Sequence, residues 1–517
     1  MARDFSKLQN GSDIRGVAIE GVPGEPVNLT EEFAAAVGAA FTYWLAQRVR
    51  KNVFDLKICV GSDPRLSADT LKQGLAKGVC YLGSRVYDAG TASTPAMFMS
   101  TVMPYYDFDG AVMITASHLP YNRNGFKFFT AGGGLDKEDI KAILDKAATL
   151  YIMPEYYEME PVNVMDMYAA HLRMLLSAKG GGDLRGLKVV VDAGNGAGGF
   201  FAKDVLARLG ADVSGSQFLE PDGSFPNHQP NPENKDAMAA ITSRVLETGA
   251  DLGIIFDTDV DRSAAVAPDG KPISRNEIVA LAAALVAADH PGGTVVTDSI
   301  TSTELAAFLK DELGLKHLRY RRGYRNVINK AMELAAEGED AFLAIETSGH
   351  AAYADNYYLD DGAYLAVLIV AAAARLKREG KTVGDLISGL GSPAEAIEYR
   401  MDILAEDFGS VGDRVLGGLP DYIKEMNGRS IRFGDVTKKY RLDLSLEEPN
   451  YEGVRVNYRI VELSNEAESY SGWFLLRKSL HDPVLPLNIE SSTLHGAAMI
   501  APVIRLYMRK FPEVTEF

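Results

Sequence analysis

Three aspartates, Asp257, Asp259 and Asp261, follow directly on the apolar run Leu252 to Phe256. In an extended segment, side chains two residues apart share a face, so the spacing predicts three carboxylates converging on one point. Carboxylates that close repel unless a cation lies between them, and oxygen-only ligation favours a hard ion such as Mg²⁺. The run is not an EF-hand. Counted from Asp257, the sixth and twelfth positions are Arg262 and Pro268, where that loop requires Gly and Glu. Three carboxylates underfill an octahedral ion, and a phosphate oxygen would help complete it.

Ser117 follows a second apolar run, Ala111 to Ile114, and has His118, Arg123 and Lys127 close in sequence. A hydroxyl on a strand-to-loop turn with cationic company suits a phosphorylated nucleophile, whose phosphate carries about −1.5 to −2 charge. A serine hydrolase is the weaker reading, because the G-x-S-x-G elbow is missing around Ser117. Glu346, Ser348 and His350 alternate after a third apolar run, Ala341 to Ile345, and offer the mix of acceptors and donors that sugar hydroxyls need. Near the end of the chain, Arg477 and Ser479 on a segment leading to His481 are candidates for a phosphate clamp. Two other patterns compete. Gly194 to Gly199 fits the dinucleotide fingerprint G-x-G-x-x-G, but Asp212 stands before the next strand and not at its end. Phe256 to Val260 fits the start of aspartyl-phosphate phosphatases, with Asp360 and Asp361 as a later acidic pair; that reading leaves Ser117 and the Glu346 cluster unexplained.

The elements that must position these groups repeat. A β-branched run, a helical stretch ending in Leu-Gly, a second short strand and a third apolar run recur, starting at Leu56, at Leu187 and at Gly293. Short strands alternating with helices predict mixed α/β domains, and ligands in such sheets sit beyond the carboxyl ends of the strands, where each repeat delivers a polar cluster. The run that starts at Leu56 ends in Gly61-Ser62-Asp63. In the second repeat a strand is predicted near Val213. From about Glu395 the pattern changes to alternating runs such as Arg441 to Leu444 and Gly453 to Arg459, with a closing helix from Leu494 to Met508. The expected organisation is three related mixed α/β domains, 1–158, 159–272 and 273–394, plus a smaller C-terminal α+β domain, 395–517. Glu31 to Arg50 is a predicted helix, with Thr30 as its N-cap and two acids in the first turn.

The 517 residues carry 53 Lys and Arg against 70 Asp and Glu, a net charge of −17. Nucleic acid and anionic membranes require a basic face, so neither is an expected partner, and the positive charge for an anionic substrate must be gathered locally. Two cysteines, Cys59 and Cys80, without metal-ligand spacing fit a reducing compartment. The longest apolar run, Ala363 to Ala374, falls short of the roughly 20 residues that span a bilayer. Met1 to Asp13 is polar, and a cytoplasmic protein is expected.

Taken together, Ser12 to Gly16, Thr115 to His118 with Asn124 to Lys127, the aspartate loop through Arg262, Glu346 to His350, and Arg477 to Ser479 resemble the α-D-phosphohexomutase family, in its phosphomannomutase/phosphoglucomutase branch. The resemblance implies four domains around a central cleft and an intramolecular phosphotransferase interconverting hexose 1-phosphates and 6-phosphates of mannose or glucose. It implies a phosphoserine at Ser117, Mg²⁺ held by Ser117, Asp257, Asp259 and Asp261, and a hexose 1,6-bisphosphate as intermediate and activator. Arg15, Lys127 and Arg262 would stabilise charge and move protons, with His118 at a phosphate. Glu346, Ser348 and His350, with Gly323 and Tyr324, would hold the sugar; Arg477, Ser479, His481 and Arg325 would hold phosphate. The chain departs from the family pattern at Ile345, where Gly is usual, at Leu480 and His481, and in the loop Arg322 to Arg325. Phosphoglucosamine mutase is the near alternative; an aspartyl-phosphate-type phosphatase and an inactive sugar-phosphate-binding relative are the alternatives of another class.

Overall fold

The computed structural model describes residues 3–152, 156–432, 438–464, 469–479 and 482–517. Three mixed α/β domains and a C-terminal antiparallel sheet domain make up the chain. It divides into two compact units, Met1–His290 with Ala331–Ser388, and Pro291–Lys330 with Gly389–Phe517.

In the first unit, an eight-stranded sheet is centred on Lys57–Ser62, which pairs in parallel with Gly110–Ile114 and Arg85–Thr91. Arg123–Thr130 runs antiparallel beside Gly110–Ile114, and Asp13–Val17 beside Arg123–Thr130. Every residue of Gly110–Ile114 is buried, so this strand reads as a continuous apolar run and ends directly at the Ser117 loop. A second sheet pairs Val189–Asp192 in parallel with Leu252–Phe256, and Leu252–Phe256 antiparallel with Ser263–Val266; the aspartate loop is the connection between those last two strands. Leu343–Ile345 turns back antiparallel onto Ala351–Tyr353.

Helix α1 (Glu31–Val49) begins where its cap predicts: the Thr30 hydroxyl accepts from the Phe33 amide at 3.1 Å, with Glu31 and Glu32 in the first turn. It packs on helix α2 (Ala68–Tyr81) through glycine notches. A Cβ placed on Gly38, Gly74 or Gly78 would overlap the backbone carbonyl of Leu75, Glu31 or Ala35 respectively. Because the obstacle is backbone, Gly78→Ala must push the helices apart. It is expected to cost about 3 kcal/mol and to lower the thermal midpoint; an unchanged midpoint would contradict this packing.

One expectation is corrected here. No strand forms near Val213; Asp212 and Gln217 make only single bridges, to Lys188 and Asp192. Asp212 bonds through its amide to the Leu187 carbonyl and through its carbonyl to the Val189 amide, but its carboxylate turns the chain by accepting from the Ser214 amide at 3.0 Å, and pairing resumes only at Gln217.

In the second unit, Thr294–Thr297 pairs in parallel with Lys316–Arg319, and a six-stranded antiparallel sheet runs from Glu395–Asp402 at one edge to Ser430–Ile431 at the other. Tyr440–Leu446 and Val454–Glu462 coincide with the predicted alternating runs, and the closing helix spans Gly496–Met508. Buried Arg455 lies 3.5 Å from the centroid of the Trp473 ring, donates to Glu447 at 3.0 Å and reaches the carbonyls of Ser299 and Thr301. Its cation is thereby shared between a ring, a carboxylate and two loop carbonyls.

Candidate active site

Ser117, Arg15, His118, Lys127, Asp257, Asp259, Asp261, Arg262, Glu346, Ser348 and His350 all belong to the first unit. Asp257, Asp259 and Asp261 are fully buried, and one carboxylate oxygen of each lies within 4.8 Å of the others. The predicted convergence occurs, but not for the reason given by strand alternation. The segment leaves the strand at Phe256 and turns, with Val260 at φ 68°, so a left-handed residue folds the third carboxylate back toward the first two.

Lys127, brought by the strand Arg123–Thr130, sets its ammonium between Asp259 Oδ2 at 3.2 Å and Asp261 Oδ2. Arg262 Nε donates to Asp257 Oδ2 at 3.1 Å, and its backbone amide to Asp257 Oδ1. Asp259 Oδ1 and Asp261 Oδ1 are buried with no hydrogen-bond partner among the described residues. Buried carboxylate oxygens left without donors, in an all-oxygen set, fit a hard divalent cation.

The electrostatics divide the cluster. Burial, then Asp261 and Asp259, push Asp257 well above the usual carboxylate range. Burial also works to raise Asp261, but Lys127, His350 and Arg262 outweigh it and hold that carboxyl low. Burial opposes a charge on His350; Asp360 at 2.5 Å and Asp261 at 3.9 Å nevertheless raise it to about 9, and the imidazolium persists at neutral pH.

Ser117 is 6% exposed and sits at φ 49°. Its Oγ donates to Asp257 Oδ2 at 2.9 Å, with Arg262 Nη2 and His118 Nδ1 each at 3.4 Å. Burial and the nearby cations Arg262 and Arg15 lower His118 to about 2, so this ring is neutral. Arg15 donates to Asp13 at 2.8 Å and to the Thr115 carbonyl at 3.0 Å, at the base of the same loop.

Glu346 and Ser348 lie on the turn after Leu343–Ile345, closed by Gly349 at φ 94°. Ser348 Oγ is 3.5 Å from Glu346 Oε2, while His350 points to Asp360 and Asp261. A bridge between His350 and Arg262 ties this turn to the aspartate loop. A cavity of about 320 Å³ opens beside Thr347, Ser348 and Gly349 and reaches Lys235 and Arg275.

Gly323, Tyr324, Arg325, Arg477 and Ser479 belong to the second unit. Gly323 has φ 105°, and the amide before it, that of Arg322, donates to Glu452 at 3.1 Å. Arg477 is 7% exposed, and its Nε has no hydrogen-bond partner among the described residues. Burial, then neighbouring Arg322, lower its affinity for its proton. Ser479 donates its amide to the Val484 carbonyl at 2.9 Å. His481 lies outside the described residues.

Two residues of the carboxylate cluster carry no sequence signal for this site. Thr94 Oγ1 donates to Asp259 Oδ2 at 2.5 Å, and its amide to the Asp259 carbonyl at 2.8 Å. Its sequence signal is only that of a helix start beside Ser93 and Pro95. Asp360, the partner of His350, reads in the sequence only as half of a phosphatase-type acidic pair.

Family models described as phosphoglucomutase/phosphomannomutase alpha/beta/alpha domains I, II and III match residues 6–151, 166–270 and 274–391. A phosphomannomutase/phosphoglucomutase of Pseudomonas syringae is 29% identical over 480 residues, 92% of each chain. A phosphoglucosamine mutase of Acetivibrio thermocellus is 30% identical over 394 residues, 74% of this chain and 81% of that one. The crystal structure of a phosphoglucomutase/phosphomannomutase family protein from Burkholderia thailandensis superimposes with a TM-score of 0.75 at 25% identity, covering 98% of this chain and 97% of its own. With all three family domains matched in order along the chain, and the buried carboxylate loop and its serine in the same unit, the protein belongs to the α-D-phosphohexomutase family.

Proposed function

We propose that the protein is a phosphohexomutase interconverting the 1-phosphates and 6-phosphates of glucose and mannose through a phosphoserine at Ser117 and a hexose 1,6-bisphosphate. The observation that carries this reading is Ser117 Oγ at 2.9 Å from one of three buried carboxylates, two of which keep an oxygen with no hydrogen-bond partner among the described residues. In the forward step the bond between phosphorus and Ser117 Oγ breaks as one forms to the free sugar hydroxyl; in the return step Ser117 takes up the other phosphoryl group. Such transfer depends mostly on positioning and charge stabilisation. Asp257, Asp259 and Asp261 would hold Mg²⁺ together with the phosphoserine, and the bound cation would neutralise charge on the phosphoryl oxygens.

The chain's own residues do the rest. Asp257 orients Ser117 Oγ, while Lys127, Arg15 and Arg262 concentrate positive charge around the loop. His118 is neutral in the unphosphorylated protein, and an adjacent phosphate would favour its cation. Glu346, Ser348 and His350 take sugar hydroxyls, and Gly323 and Tyr324 are assigned to the sugar as well; His350 also lies 3.9 Å from Asp261. Arg325, Arg477, Ser479 and His481 take the phosphate that is not reacting. Each of the domains 1–158, 159–272, 273–394 and 395–517 carries one of these loops. The two-cysteine, acidic composition supports work in a reducing compartment such as the cytoplasm.

The test is a coupled assay on glucose, mannose and glucosamine 1-phosphates, with and without the cognate bisphosphate. Turnover of the glucose and mannose compounds is expected, stimulated by bisphosphate, abolished by EDTA and restored by Mg²⁺. A preference for glucosamine 1-phosphate would move the assignment to the activity named for the Acetivibrio relative. No turnover on any of the three would overturn the proposal.

A further inference from the structure

The first repeat's own strand-end cluster, Gly61-Ser62-Asp63-Pro64-Arg65, takes no part in the chemistry above, yet it contains an expensive feature. Asp63 and Arg65 have side chains with no solvent exposure at all. Burying an ion pair costs several kcal/mol per charge unless hydrogen bonds compensate for lost water. Here they do, on one short segment. Arg65 Nη2 donates to the carbonyls of Ser117 and Leu119, Nη1 to those of Pro120 and Arg123, and Nε to Asp63 Oδ2 at 3.2 Å.

Four carbonyls of the segment 117–123 therefore converge on one guanidinium. The backbone between Ser117 and Asn122 forms neither helix nor strand, so the carbonyls of Ser117 and Leu119 have no ladder to join. The planar fork of donors on arginine suits this task, and an ammonium could not span it. Below the guanidinium, Asp63 Oδ2 accepts from Thr115 Oγ1 at 2.7 Å, and Thr115 Oγ1 accepts from the Ser117 amide at 2.8 Å. Above it lies the Phe225 ring, 5.2 Å from the guanidinium carbon.

Both backbone groups of Ser117 are thus held by one device: its carbonyl by Arg65 directly, its amide by Asp63 through Thr115. Ser117 is also the residue with φ 49°, a conformation that a non-glycine residue keeps only when its surroundings enforce it. We propose that Asp63, Arg65 and Thr115 are positioning residues for phosphoryl transfer, which hold the Ser117 backbone in its left-handed conformation and so aim Oγ at the carboxylate cluster. This rests on Ser117 being the phosphorylated residue. A misplacement of about 1 Å at a reacting atom can cost about 100-fold in rate, so loss of this support appears in the chemical step and not in sugar binding.

The experiment follows phosphorylation of the full-length, dephosphorylated protein by glucose 1,6-bisphosphate, read by intact mass, beside steady-state kinetics. Thr115→Val removes the hydroxyl and keeps the shape. Its phosphorylation rate and kcat are expected to fall about 100-fold while KM for glucose 1-phosphate stays within about threefold. Thr115→Ser, which restores the hydroxyl, is expected to recover the rate to within about threefold of wild type. Should Thr115→Val not fold, Asp63→Asn is read in the same way, with an expected loss of about 10-fold. A wild-type phosphorylation rate in Thr115→Val or Asp63→Asn, or a Thr115→Ser rate as low as that of Thr115→Val, overturns the proposal. Ser117→Ala separates the two readings. If it is phosphorylated like wild type, the nucleophile assignment fails; if it is not, and Thr115→Val reacts at full rate, only the positioning role fails.

Discussion

Ser117→Ala is expected to lose at least about 10⁴-fold in hexose-phosphate turnover while remaining folded, because a nucleophile that carries the transferred group has no substitute within the same step. The change removes one donor to Asp257 Oδ2, which still receives Arg262 Nε at 3.1 Å, so no buried carboxylate is stranded. The backbone supports described above do not involve the Ser117 side chain, and the loop should persist. A coupled assay with the bisphosphate present, together with an unchanged thermal midpoint, checks this. Residual activity within tenfold of wild type would shift the covalent step elsewhere. A hydroxylamine-labile adduct on Asp257 would then assign it to an aspartyl-phosphate mechanism.

Lys127→Met should combine the largest stability effect in the site with a loss of activity. Its ammonium donates to both Asp259 Oδ2 and Asp261 Oδ2, two buried carboxylates. Removing one partner of a buried ionic cluster typically costs about 3–5 kcal/mol, since the remaining charges keep their desolvation without their attraction. In EDTA the variant should unfold at a clearly lower temperature than wild type, and Mg²⁺ should recover more of that loss than it adds to wild type, because the cation replaces the missing charge. The pH dependence has a definite sign. Without Lys127 the Asp261 carboxyl, now held low, rises above its unfolded value, so a proton bound by the folded state relieves the repulsion at low pH. The deficit should therefore be smaller at about pH 5 than at about pH 8. A midpoint in EDTA equal to that of wild type at both pH values would show that the ammonium does not neutralise these carboxylates.

Local signals were legible in the chain wherever they rest on neighbours in sequence. Thr30 with Glu31 and Glu32 announces α1, and the apolar runs before Ser117, Asp257 and Glu346 contain strands. The residue types at the site could also be read, since three aspartates after a buried strand have few uses. Their geometry could not. Alternation on an extended segment predicts convergence, whereas the structure achieves it by a turn at Val260, and both give the same spacing in sequence. Long-range partners left no local mark. Thr94 lies 165 positions from Asp259, and the carbonyls on Arg65 are backbone atoms, which no residue type reveals. The strand expected near Val213 is broken for the opposite reason, because the Asp212 carboxylate and the Ser214 amide form a local turn between the two bridging residues Asp212 and Gln217.

The bond from the Thr94 amide to the Asp259 carbonyl also has a meaning in time. The first amides of a helix have no partner within it and ordinarily exchange with solvent as the end frays. Thr94 is the first residue of its helix, Thr94–Val102, yet its amide is buried against the aspartate loop of the next domain. Its hydrogen exchanges only when that domain contact opens, so this one amide serves as a clock for the breathing of the carboxylate loop, independent of any substrate.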